Sequence, residues 1–96
     1  MKTMLILMTS PALEEDMVDF LLDHPHVEGF TSLAAYGHGQ TAAMSVTEQV
    51  AGRRKRVQFQ IIMDVGAVDS LTQELAGRVG QDVVFWQVPV SGLGRT

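Results

Sequence analysis

The sequence predicts a single α+β domain with four strands and two helices in the order β-α-β-β-α-β. Three observations carry that expectation. Four apolar runs have strand length and strand alternation, two intervening segments repeat their apolar residues at helical spacing, and each boundary carries a proline or glycine signal. Ninety-six residues suit one hydrophobic core, and no cysteine is present to build a disulfide framework, a thiolate nucleophile or a Cys-based metal site.

The first strand is expected at Thr3–Thr9, an apolar run closed by Ser10-Pro11. Leu5 and Leu7 point one way and Met4, Ile6 and Met8 the other, so both of its faces call for cover. A helix then spans Pro11–Asp23, with Ser10 as N-cap and proline in the first turn, where a missing N–H costs nothing. Glu14, Glu15 and Asp16 favour the positive end of its dipole. Leu13, Met17, Phe20, Leu21 and His24 form its inner stripe, and Pro25 ends it by disfavouring helical backbone at His24.

Gly29–Tyr36 reads as the second strand, broken by Gly37-His38-Gly39. The third, Arg56–Asp64, sets Val57, Phe59, Ile61 and Met63 on one face and Arg56, Gln58, Gln60 and Ile62 on the other. After a Val65-Gly66 turn, the second helix covers Ala67–Val79, with Val68, Leu71, Leu75, Ala76 and Val79 inward and Gly80 at its end. The fourth strand is Asp82–Val90, and Ser91–Thr96 is expected to be a mobile tail. Residues 1–90 thus form one ferredoxin-like domain: an antiparallel four-stranded sheet with both helices on one face. The other face keeps a mixture of apolar and amide side chains, and on so small a domain that predicts self-association.

The composition narrows function by exclusion. Apolar residues make up 46% of the chain and mean hydropathy is +0.13, too apolar for a disordered chain. A net charge of −4 argues against general nucleic-acid binding. The longest apolar run, Met4–Met8, is far below the ~20 residues of a membrane span and shorter than a secretory h-region, so no membrane insertion and a cytoplasmic location are expected. No catalytic constellation emerges, and the expected protein is not an enzyme.

Three features stand out as candidates for binding. His38–Lys55 joins strands that a hairpin of two to five residues would connect, which marks a recognition loop or an ornamental excursion. Within it Ser45-Val46-Thr47-Glu48 has a capping-box pattern, closed by Gly52. Arg53-Arg54-Lys55-Arg56 holds four of the seven basic residues. It suits a phosphate or carboxylate ligand, the acidic face of a neighbouring subunit's first helix, or plain solvation. The histidines His24, His26 and His38 offer imidazole donors for Zn, Cu, Ni or Co, although a helix C-terminus favours histidine by its dipole alone. The methionines on predicted strands and helices are core fillers.

The segments Pro11–Glu15, His26–Ser32, Gly37–Gly39, Ser45–Arg53 and Trp86–Val90 together resemble the PII-like superfamily of trimeric signalling proteins. The chain is most similar to an uncharacterised PII-like family of small proteins often encoded near heavy-metal efflux systems. That resemblance implies a PII-like homotrimer packed through sheet edges and faces, with inter-subunit clefts for a small effector. Residues 38–55 would correspond to the T-loop, docking a membrane efflux or transport protein. Gly37, His38, Gly39 and Gln40 resemble the turn at its base, and with Arg53, Arg54 and Arg56 make the expected ligand site. The effector is then a transition metal ion (Cu, Zn, Ni, Co or Ag) or an adenine nucleotide. Two departures weigh against classical ATP sensing: Gly80-Gln81 replaces the lysine-containing B-loop, and the only tyrosine, Tyr36, lies on a strand. A CutA-like divalent-metal tolerance protein or metal buffer shares the architecture and is the alternative.

Overall fold

A computed structural model describes residues 1–39 and 53–96. The elements are β1 (Lys2–Thr9), α1 (Glu14–Asp23), β2 (Thr31–Gly37), β3 (Arg54–Asp64), α2 (Val68–Arg78) and β4 (Val84–Pro89). A 3-10 turn precedes each helix, at Pro11–Leu13 and at Val65–Ala67. The sheet is antiparallel throughout, in the order β2-β3-β1-β4. This is the expected ferredoxin-like α+β arrangement, with the run that is apolar on both faces, β1, in a central position.

The first helix starts later than its pattern suggested. Ser10 is extended (φ −72°, ψ 153°) and makes no side-chain cap; instead its carbonyl accepts from Leu13 N–H at 3.1 Å, which closes a tighter first turn around Pro11. Its end falls where Pro25 requires, with His24 extended at ψ 129°. The strands also shift by a few residues. β2 runs Thr31–Gly37 rather than Gly29–Tyr36, and β3 begins at Arg54 because Gly37 and Arg54 still pair. β4 is shorter than expected, since Asp82 takes a left-handed φ of 64° and Pro89 closes the strand.

Both helices supply their inner stripe to one core. Met17, Phe20 and Leu21 of α1 and Val68, Leu71 and Leu75 of α2 pack with Leu5, Leu7, Phe59, Ile61 and Met63. Ala76, expected inward, is exposed, for the buried stripe of α2 lies along Val68, Leu71 and Leu75. Thr3 and Thr9 sit on the core face at the two ends of β1. Thr3 Oγ1 donates to the Val88 carbonyl at 3.0 Å, whereas Thr9 Oγ1 is buried without a hydrogen-bond partner among the described residues. Residues 91–96 are exposed and outside regular structure. Among the described residues no helix is long and apolar enough to cross a membrane.

Candidate functional site

The ladder between β2 and β3 gathers most of the expected ligand-site residues at one end of the sheet. Ala35 pairs with Arg56, Tyr36 with Lys55 and Gly37 with Arg54, so the long connection leaves directly from the last rung. Strand alternation puts Arg54 and Arg56 on the face away from the helices, in line with Gln58 and Gln60. Arg56 is nearly buried and its Nη2 donates to the Met8 carbonyl at 3.4 Å, which ties the cluster to the end of β1. Arg53 lies over Tyr36, with its guanidinium carbon 4.3 Å from the ring centroid. Gly39 has φ +92°, a conformation that L side chains rarely adopt, so glycine is needed to turn the chain there. Gly37 is less constrained, because a Cβ there would make only ordinary contacts with Arg56 and Arg54. Gln40, the capping-box pattern at Ser45–Glu48 and Gly52 lie outside the described residues.

The histidines divide between the two ends of the sheet. His38 follows Gly37 at the end just described. His26 lies at the opposite end, in a 130 Å³ pocket with Lys2, Glu28 and Asp64, where Lys2 pairs with Asp64 on the β1–β3 ladder. β3 spans the two ends over 11 residues, roughly 35 Å at strand rise. A single ion therefore meets all three histidines only if more than one copy contributes. His24 is engaged within its own chain. Its Nδ1 accepts the His26 backbone N–H at 3.2 Å, and its Nε2 stands 3.2 Å from Glu74 Oε2, outside hydrogen-bond geometry. It also packs beside Phe20, at 5.6 Å between ring centroids. These contacts make His24 a bridge between α1 and α2. Among the described residues no three His, Cys, Asp or Glu side chains stand together in a metal-holding group.

The remaining feature of the site region is the open face. Met4, Ile6 and Met8 of β1, Ile62 of β3, Leu33 of β2 and Val84, Trp86 and Val88 of β4 share it. Gln60 Nε2 donates to Gln58 Oε1 at 2.9 Å in its middle. Trp86 and Val88 are each 42% exposed there, which is a large apolar surface for a domain of this size.

The family model for DUF3240, a protein family of unknown function, matches residues 1–96. The chain belongs to the DUF3240 family. A crystal structure of a DUF3240 family protein from Shewanella baltica OS155 is similar to it with a TM-score of 0.80 and 20% sequence identity, covering 99% of this chain and 96% of that one. At that identity the likeness establishes the shared fold. No functionally curated protein matches the chain. Sequence reading identified the basic cluster but missed Tyr36 as its neighbour. The signal was available only through register, since Tyr36 meets Lys55 once Gly37 is paired with Arg54.

Proposed function

We propose that this DUF3240 protein is a non-enzymatic, PII-like regulatory protein of the cytoplasm, linked to heavy-metal homeostasis. It works as a homotrimer with its ligand in the inter-subunit clefts, and it signals through residues 38–55 to a membrane efflux or transport protein. The observation that carries this reading is that Gly37, His38, Gly39, Arg53, Arg54 and Arg56 all lie at the one end of the sheet where the β2–β3 ladder gives way to the long connection. That grouping offers an imidazole for a transition metal and guanidinium groups for the phosphates of an adenine nucleotide. Ligand binding there changes which partner the segment docks. The exposed apolar face supports the assembly, because burying it against other copies removes that surface from water.

Thermal unfolding against Zn, Cu, Ni, Co and Ag ions and ATP, ADP and AMP tests the site. A ligand at 100 times its dissociation constant adds about 2.7 kcal/mol. Stabilisation by one metal that His38→Ala abolishes, or by a nucleotide that Arg54→Ala abolishes, is the expected result. If both variants keep every stabilisation seen in the parent, the site is elsewhere. The alternative, a CutA-like metal-binding protein or buffer, rests on the exposed imidazole of His26 with further donors supplied by other copies, since among the described residues no three metal-ligating side chains stand together. It predicts metal uptake that falls with His26→Ala and is indifferent to Arg54→Ala.

A further inference from the structure

The four basic residues that close the long connection stand in different surroundings. Arg54 and Arg56 face the open side of the sheet, and Arg56 is nearly buried, with its Nη2 committed to the Met8 carbonyl at 3.4 Å. Lys55 pairs with Tyr36 on the ladder, and both project on the helix side, as Ala34 and Val57 do two rungs further in. Arg53 is the first residue beyond the last rung, Gly37–Arg54. It lies on the helix side too, for its guanidinium carbon stands 4.3 Å from the centroid of the Tyr36 ring. Diagonal neighbours on an antiparallel pair come within reach when one is aromatic and the other long.

The contact with Tyr36 leaves the N–H groups of Arg53 for another partner. A guanidinium is planar, its five N–H donors lie in that plane, and it stacks on an aromatic ring through its face. Among the described residues no carboxylate forms an ion pair with Arg53. Lys55, directly opposite Tyr36 on the same side, adds a second positive charge to this corner. Tyr36 is fixed by the β2–β3 ladder and is 49% exposed, so its ring is a ledge at the surface rather than part of the core. A long side chain loses rotamer freedom when it binds, and an arginine already resting on a ring has less to lose. A fork held in that way suits two oxygens of one phosphate group, which a guanidinium binds side by side.

We propose that Tyr36 is a positioning residue for anion recognition: its ring holds the Arg53 guanidinium so that the fork takes a phosphate group, carried by a nucleotide or free. This deepens the ligand site proposed above and rests on it. The two sides of the sheet then have separate parts, since Arg53 and Lys55 sit with Tyr36 while Arg54 and Arg56 point away from it. Arginine is required at position 53, because an ammonium is a point donor without a fork. An aromatic ring is required at position 36, where the hydroxyl is dispensable.

Isothermal titration with ATP and with inorganic pyrophosphate separates the two sources of phosphate and tests the pair. Tyr36→Leu should weaken binding of whichever probe the parent takes by about three- to tenfold, the scale of an exposed cation–π contact plus the ordering of one long side chain. Tyr36→Phe keeps the ring and should restore the parent's affinity, whereas Arg53→Lys keeps the charge and should bind as poorly as Tyr36→Leu. With Arg53→Ala already made, Tyr36→Leu should have no further effect. The chain has one tyrosine, so 3-fluorotyrosine labelling gives a single fluorine resonance, which should move along the binding curve. A smaller loss in Tyr36→Leu, no recovery in Tyr36→Phe, full affinity in Arg53→Lys, or a resonance that stays still while calorimetry reports binding would overturn the role of Tyr36. If Arg54→Ala abolishes binding and the Tyr36 and Arg53 variants do not weaken it, the ligand site stands without this platform. If the parent binds neither probe, the proposal falls and only a metal ligand remains for the site.

Discussion

The two faces of the sheet use the same strands and meet different fates. On the helix side, Leu5, Leu7, Phe59 and Ile61 are wholly buried, since α1 and α2 lie over them. On the other side, Trp86, Val88 and Leu33 keep about two-fifths of their surface in water, although their composition is hardly less apolar. Ile6 alone shows that neighbours within a face can do part of the covering, for it is 4% exposed with no helix above it. The difference teaches that alternation assigns side chains to faces but does not say what covers each face. The covered face holds the monomer together, and the open one leaves apolar side chains in water.

The largest effect that separates the faces is expected in the core. Phe59→Ala should destabilise the fold by about 3–5 kcal/mol, through lost burial and the cavity left behind. Urea unfolding measures this directly, and a loss below about 1 kcal/mol would contradict the packing described for Phe59. On the open face, Trp86→Lys should leave far-UV circular dichroism intact while solution mass drops toward the monomer, because it sets a charge on the apolar surface that the proposed assembly buries. A drop in secondary structure without a change in assembly would reverse the roles assigned to the two faces. Between the helices, His24→Ala should cost about 1–3 kcal/mol, since it removes the acceptor for His26 N–H and the packing against Phe20. Equal stability of that variant and its parent would show that the α1–α2 bridge contributes nothing.

Most of the fold was legible because its signals are local. Pro11, Pro25 and the period-2 run from Val57 to Met63 each constrain a few neighbouring residues, and the element order then leaves few topologies. Boundaries shifted where the deciding interaction lies across the sheet, as when Gly37 pairs with Arg54 and extends both strands. The candidate site was legible in part. Four adjacent basic residues stand out in an acidic chain, but nothing local reveals that Arg56 is buried against β1 or that Tyr36 lies beneath Arg53. The histidines illustrate the limit most clearly. His24 and His26 are two residues apart, yet His24 is a buried hydrogen-bonded core residue and His26 is exposed beside a pocket. Three-dimensional neighbours, absent from the sequence pattern, decide between those roles.

The smallest effect compares the two ends of β1 and turns on sign. Thr3 and Thr9 are both buried β-branched residues on the core face, and valine matches their shape. Thr3 Oγ1 donates to the Val88 carbonyl, so Thr3→Val removes a hydrogen bond and should cost about 1 kcal/mol. Thr9 Oγ1 has no such partner among the described residues, and its hydroxyl is carried into the folded state at the expense of its hydration. Thr9→Val removes that penalty and should raise stability by about 1 kcal/mol, a few degrees in melting temperature for a domain of this size. The pair is informative together because the substitution, the strand and the degree of burial are shared, leaving the hydrogen bond as the main difference. Destabilisation by both would mean that Thr9 is hydrogen-bonded in solution, and that the two ends of the strand are alike after all.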